Sequence, residues 1–199
     1  MMGMSATIAE PTARPLKKLL TVADLARMPT ELPSGTAWFE LNDGVLVAKS
    51  PQGDLQSIAQ GNCIILLATN AENSGLGEVR GRVGIILRRN PDRVVGPPVS
   101  FVITSSLPVR CSPEDYLETV PELVVEIRSK NDSNPEINAK VEEYFQAGVQ
   151  MVWIVDPAAR TLAAHRPDTS VQVFRGDEPV TCDLLPGFAV PAARFFEGT

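Results

Sequence analysis

The chain has 199 residues, 44% of them hydrophobic and 21% charged, a size and composition that let a domain fold without disulfides or a structural metal. A net charge of −6 and a pI of about 4.9 exclude a protein that coats nucleic acid by bulk electrostatics. A few cations gathered in one cleft remain compatible with that balance.

No run approaches the ~20 apolar residues of a membrane-spanning helix, and the first residues lack a secretory-signal pattern. Cys63, Cys111 and Cys182 are far apart, odd in number and outside any CxxC pair. They predict buried free thiols in a reducing cytoplasm rather than a disulfide framework or a zinc site.

Residues 1–19, with Pro11, Pro15 and the Lys17-Lys18 pair, read as a flexible leader. Thr21 predicts a helix N-cap, with Asp24 at the capping-box position; Val22, Leu25 and Met28 give the helix an apolar face and Pro29 ends it. Residues 38–41 and 45–47 flank Asn42-Asp43-Gly44, a strong hairpin signal. Leu55 to Asn73 predicts a helix with Ile58, Ile65, Leu66 and Thr69 on its apolar face, stopped at Ser74-Gly75. Strands follow at 77–80 and 83–89, then a turn at Asn90-Pro91-Asp92 and a short strand at 99–103. Ser112-Pro113-Glu114-Asp115 has the pattern of a capped helix start with proline at its first position.

Leu123 to Ile127 is an apolar run broken only by Glu126, and Met151 to Val155 is a second; both predict buried strands. Between them, Asn134 to Ala147 predicts a helix with Ile137, Val141, Tyr144 and Phe145 on one face and Gly148 as its stop. Thr161 to Arg175 alternates like a hairpin across Asp168, and Leu185 to Phe188 starts a closing strand or tail. The order of elements predicts one α/β or α+β domain with a mixed sheet.

Three residues are candidates for chemistry. Glu126 is the first, because a carboxylate in a buried run costs several kcal/mol unless it is paired, protonated or metal-bound. It is either part of a functional site or half of a structural ion pair with a helix lysine. Lys140 follows Ile137 by three and precedes Tyr144 by four, so it lies on or beside the face toward the sheet. Its apolar stem lets it reach such a carboxylate, or else snorkel to the surface. Glu40 is the third; alternation puts it opposite Phe39 and Leu41, and spacing alone favours an exposed position. His165 is the only histidine and stands in an alternating polar strand, which argues against a His-based triad and excludes a multi-histidine metal site. Asp132 and Ser133 read as helix caps and Asp156-Pro157 as a turn, and no glycine-rich phosphate cradle occurs.

The motifs also occur in a specific order. They run through Leu20-Thr21-Val22-Ala23-Asp24-Leu25, Phe39-Glu40-Leu41-Asn42-Asp43-Gly44, Ser50-Pro51, Pro97-Pro98-Val99 and Pro121-Glu122-Leu123-Val124-Val125-Glu126-Ile127-Arg128-Ser129. Lys140-Val141-Glu142-Glu143-Tyr144, Trp153-Ile154-Val155-Asp156-Pro157 and Leu185-Pro186-Gly187-Phe188 complete the set. In this order the chain resembles, over residues 20–196, the Uma2 family (also DUF820), a family of predicted restriction endonucleases. The resemblance implies a restriction-endonuclease-like core of the PD-(D/E)xK superfamily, with a mixed central sheet flanked by helices and an N-terminal hairpin. It also implies DNA as the substrate, magnesium as the cofactor and a homodimer. In such sites an aspartate and a glutamate hold one or two magnesium ions, and a lysine orients or activates the attacking water. Matched by position, Glu126 takes the place of the second acidic metal ligand and Glu40 that of the family's acidic residue on the hairpin. Lys140 takes the place of a lysine moved from the strand to the helix. Arg128, at the strand position of the usual lysine, is its rival.

Two positions depart from the family pattern. Its Pro-Asp before the strand at Val99 is Pro97-Pro98 here, and its histidine after Ser50-Pro51 is Gln56. Asp92 in the preceding turn and Asp54 are expected not to substitute. Losing a charged ligand weakens a hard-cation site severely, while the fold tolerates Pro98 at the first position of a short strand. The expectation is a metal-dependent DNA phosphodiesterase whose activity is impaired or lost through Pro98. The alternative is a non-catalytic nuclease-fold module for binding or assembly. The resemblance argues against a third reading, an unrelated interaction domain with a purely structural Glu126–Lys140 pair.

Overall fold

The computed structural model describes residues 18–29, 31–32, 35–36, 38–72, 74–168 and 170–199. Nearly all of the expected leader lies outside them. In chain order the first elements are α1 (Val22–Leu25), β1 (Glu31–Leu32), β2 (Gly35–Thr36), β3 (Trp38–Asn42), β4 (Val45–Lys49) and α2 (Asp54–Leu67). Next come β5 (Gly77–Gly81), β6 (Ile85–Arg88), β7 (Arg93–Val95), β8 (Val99–Ile103) and β9 (Leu123–Ile127). The chain continues with α3 (Asn134–Ala147), β10 (Met151–Asp156), β11 (Thr161–His165), β12 (Val171–Arg175), β13 (Pro179–Thr181) and β14 (Ala189–Pro191). Among the described residues no helix is long and apolar enough to cross a membrane.

A six-stranded mixed sheet in the order β12-β11-β10-β9-β8-β5 forms the centre. Only β9 and β10 run parallel, because α3 carries the chain back between them; every other pair is antiparallel. Alternation divides each central strand between two cores. Leu123, Val125 and Ile127, with Met151, Trp153 and Val155, join Ala59, Cys63 and Leu67 of α2 on one face. Val124, Val152 and Ile154 join Val141 and Tyr144 of α3 on the other. The rings of Phe188 and Phe195 pack 5.8 and 5.9 Å from that of Trp153 and seal the first core.

A second sheet, β4-β3-β7-β6, stands beside the α3 face. Asp43 (φ 51°) and Gly44 (φ 74°) both take the left-handed region that a tight β3–β4 hairpin turn demands. Leu41, Ile86 and Val94 pack there against Val22 and Leu25 of α1. Gly77 cannot be replaced easily, since a Cβ there would lie 2.2 Å from the Val102 carbonyl oxygen.

The cap signals act as expected. Thr21 and Asp24 form a reciprocal capping box, as do Ser133 and Glu136. Gly148, at φ 104°, ends α3. Four expectations need correction. Residues 112–115 form a turn rather than a helix start: Ser112 Oγ accepts from the Glu114 and Tyr116 N–H groups, and Asp115 at φ 66° halts any helix. On α2 the buried face is Ala59, Cys63, Leu66 and Leu67, while Ile65 is exposed. Leu185 to Phe188 lies in the connection between β13 and β14. Cys63 and Cys182 are buried, but Cys111 is exposed. Burial pushes the Cys63 thiol up to about 12 and the Cys182 thiol up to about 11, so both stay protonated.

Candidate functional site

The site begins with the alternation of β9. Glu126 shares a face with Val124, and that face looks toward α3, so the carboxylate emerges where the apolar packing ends. Its Oε1 lies 2.6 Å from Lys140 Nζ and accepts a 2.6 Å hydrogen bond from the Tyr144 hydroxyl. Lys140 and Tyr144 are one turn apart on α3, which aims both at the same acceptor. Glu40 is not exposed as spacing favoured: it is buried on β3, where its Oε1 accepts from the Gly96 N–H at 3.1 Å. Its Oε2 lies 3.6 Å from Lys49 and 3.8 Å from Arg93.

Arg93 ties this group together from below. It holds Glu143 of α3 through Nε and Nη2 at 2.5 and 2.6 Å, and Nη1 donates to the Leu41 carbonyl at 2.9 Å. Burial works against its charge, but Glu143 and Glu40 more than compensate and raise its pKa. Arg128 stands two residues beyond Glu126 and has other partners. Its Nη2 donates to Asn134 Oδ1 at 2.7 Å, and its Nε lies 3.8 Å from Asp156. Of the two rival cations, Lys140 touches Glu126 and Arg128 braces the neighbouring wall.

Glu40, Lys49, Glu126, Arg128 and Lys140 open on one cleft of about 1220 Å³. Its lining includes the cations Lys49, Arg82, Arg128, Lys130 and Lys140, balanced by Glu40, Asp54, Glu126, Asp132 and Asp156. Asp54, which no spacing brought to the site, therefore reaches its rim, as does Gln56. Asp92 is absent from this lining; it is buried and accepts from the Val22 N–H at 2.7 Å, a structural duty. His165 lies outside the lining too, half-buried on β11 with its pKa lowered by that burial.

Sequence reasoning missed Lys49, Arg93, Asp156 and the role of Tyr144. The hairpin register contained the signal for Lys49: Glu40 pairs with Val47, so Lys49 is its diagonal neighbour on the same face. The i, i+4 spacing from Lys140 contained the one for Tyr144. No pattern marks Arg93, which sits one residue past a turn in sequence.

Two titrations follow from this packing. Burial opposes the Lys140 ammonium, but Glu126 and Glu40 outweigh it and raise its pKa. Burial and then Glu126 hold the Tyr144 phenol well above its ordinary value. Both groups bind their protons more tightly folded than unfolded. Their contribution to stability is therefore complete below their unfolded values, near 10, and is lost as pH climbs through the folded ones. Urea midpoints should fall above about pH 10, and Glu126→Gln, which removes the charge acting on both groups, should flatten that fall.

The ladder also locates Pro98. Val99 pairs with Val125 and Ser100 with Val124, so the next position of the register sets buried Pro98 beside Glu126. Residues 22–193 match the family Uma2, described as "Putative restriction endonuclease". The chain belongs to the Uma2 family. Its fold is similar to that in the crystal structure of "a putative nuclease belonging to DUF820" from Anabaena variabilis ATCC 29413. The TM-score is 0.70 at 20% identity, over 89% of this chain and 98% of that one. A comparison with curated proteins gives no match.

Uma2 nucleases imply a divalent metal, and the donors in this Uma2 chain do not fit one as they stand. Glu126 Oε1 is shared by an ammonium and a phenol. Glu40 faces two cations, the Pro98 side chain has no donor atom, and its carbonyl oxygen already accepts from Gln60 and Arg82. Among the described residues no three His, Cys, Asp or Glu side chains gather around a point where a cation could sit.

Proposed function

We propose that this Uma2 protein receives a phosphodiester ligand, DNA by family expectation, in the cleft between the β3–β4 hairpin and the end of β9, and that its metal-dependent hydrolysis is impaired or lost. The observation that carries this reading is the β8–β9 register, with Pro98 beside Glu126 where a carboxylate is needed. A hard divalent cation is held by charge count and oxygen geometry, and here Glu126 is paired with Lys140 and Glu40 with Lys49 and Arg93. In any residual hydrolysis, Lys140 is the cation closest to Glu126 and Arg128 the one available to a phosphate further along the wall. A cytoplasmic homodimer belongs to the same reading; the exposed Val171 and Val173 on the edge strand β12 give one surface for such pairing.

Calorimetric titration with magnesium or manganese tests the central claim. Wild type should give no saturable heat at millimolar metal, whereas Pro98→Asp, by adding a third oxygen donor, should bind at least tenfold more tightly. Tight binding by the wild type that Glu126→Ala abolishes would sink the impaired reading and restore an active metal nuclease.

A further inference from the structure

The chain has two tryptophans, and they sit in opposite environments. Trp153 is fully buried, whereas Trp38 is 46% exposed on β3 at the mouth of the cleft. Arg82 lies with its guanidinium 5.3 Å from the Trp38 ring centroid, and Lys49 is the direct cross-strand partner of Trp38. Arg82 is held there by an uncommon backbone: its φ is 41°, and its N–H donates to the Pro98 carbonyl at 3.0 Å. A non-glycine residue in the left-handed region costs free energy that its surroundings must offset. Trp38, Arg82 and Lys49 all line the cleft that holds Glu126 and Lys140.

An exposed ring flanked by cations inside a groove is suited to an unpaired base. The base stacks on the indole, and the cations meet the phosphates on either side. A base inside intact duplex has both faces covered and must be extruded first. Charge favours the same conclusion. Duplex binding draws its affinity from neutralised phosphates, but this chain carries −6 overall and its cleft has no excess of cations. Stacking supplies affinity without surplus positive charge.

We propose that Trp38, with Arg82 and Lys49, is a stacking platform for an unpaired nucleobase, so that the cleft takes single-stranded or locally opened nucleic acid in preference to intact duplex. This inference rests on the cleft being a phosphodiester site. Because Trp153 is buried, acrylamide quenching and emission changes report Trp38. The full chain is titrated with an oligo(dT) strand of about 10 nucleotides, within the site sizes of such grooves, and with a duplex of the same length. The single strand should quench Trp38 and shield it from acrylamide, and the duplex should bind at least tenfold more weakly. By anisotropy of a labelled strand, Trp38→Ala should lose about tenfold in affinity, and Trp38→Phe should retain most of it. Circular dichroism of both variants checks that they remain folded. Equal binding of strand and duplex without a change at Trp38 overturns the platform and leaves the phosphodiester reading standing. Single-strand binding untouched by Trp38→Ala, or a Trp38 that acrylamide cannot reach, also overturns the platform alone. Binding of neither probe overturns both.

Discussion

Replacing Arg93 with alanine should remove about 3–5 kcal/mol of stability, the range for deleting one member of a buried ion pair. The guanidinium is buried and its fork is fully used. Two nitrogens grip Glu143 and the third reaches the Leu41 carbonyl. These bonds join β7, β3 and α3, elements far apart in sequence. Truncation would remove a donor from the buried Leu41 carbonyl, leave a partly buried carboxylate without a cation, and leave Glu40 with one counter-charge fewer. Arg93→Lys should recover only part of the loss, because an ammonium cannot reproduce the planar fork. Urea unfolding followed by circular dichroism reads both variants. A loss below about 1 kcal/mol for the alanine variant would mean that α3 docks through its apolar face alone.

Lys140→Met should cost about 2 kcal/mol, less than the full penalty of a broken buried pair because Lys140 and Glu126 both retain some contact with solvent. The informative partner is the double variant Lys140→Met with Glu126→Gln. It removes both charges and leaves the Tyr144 hydroxyl an acceptor, so it should return to within about 1 kcal/mol of wild type. Recovery on that scale would show that folding does not need this ion pair and that its retention answers to the cleft. A double variant no more stable than either single one would make the pair a structural tie, because all three then lose the same shared interaction. The same urea titration, run on all four members of the cycle, decides between them.

Much of the fold was readable because its signals are local. Periodicity found β9, α3 and β10, turn chemistry found the β3–β4 hairpin, and the capping boxes marked the starts of α1 and α3. Glu126 and Lys140 were readable for the same reason, one as a charge inside an apolar strand and the other as a cation on an apolar helix face. Family likeness pointed to Glu40, but its burial depends on Arg93, Lys49 and the Gly96 amide closing over it, and alternation is blind to that. β7 escaped notice because three residues are too few to show a period. The false helix at 112–115 carried correct cap chemistry, but Asp115 uses the left-handed region and turns the chain back. The departure at Pro98 was visible as a residue; that it stands across from Glu126 needed the strand register.

The alternation of β9 has an evolutionary consequence. Its odd-numbered side chains belong to the core with α2, and its even-numbered ones belong to the face with α3. A substitution at an even-numbered position of this strand therefore reaches the larger core mainly through the backbone. Chemistry and foldedness can mutate on separate schedules. A lineage can change Glu126, try a new ligand in the cleft, and keep the scaffold that carries the experiment.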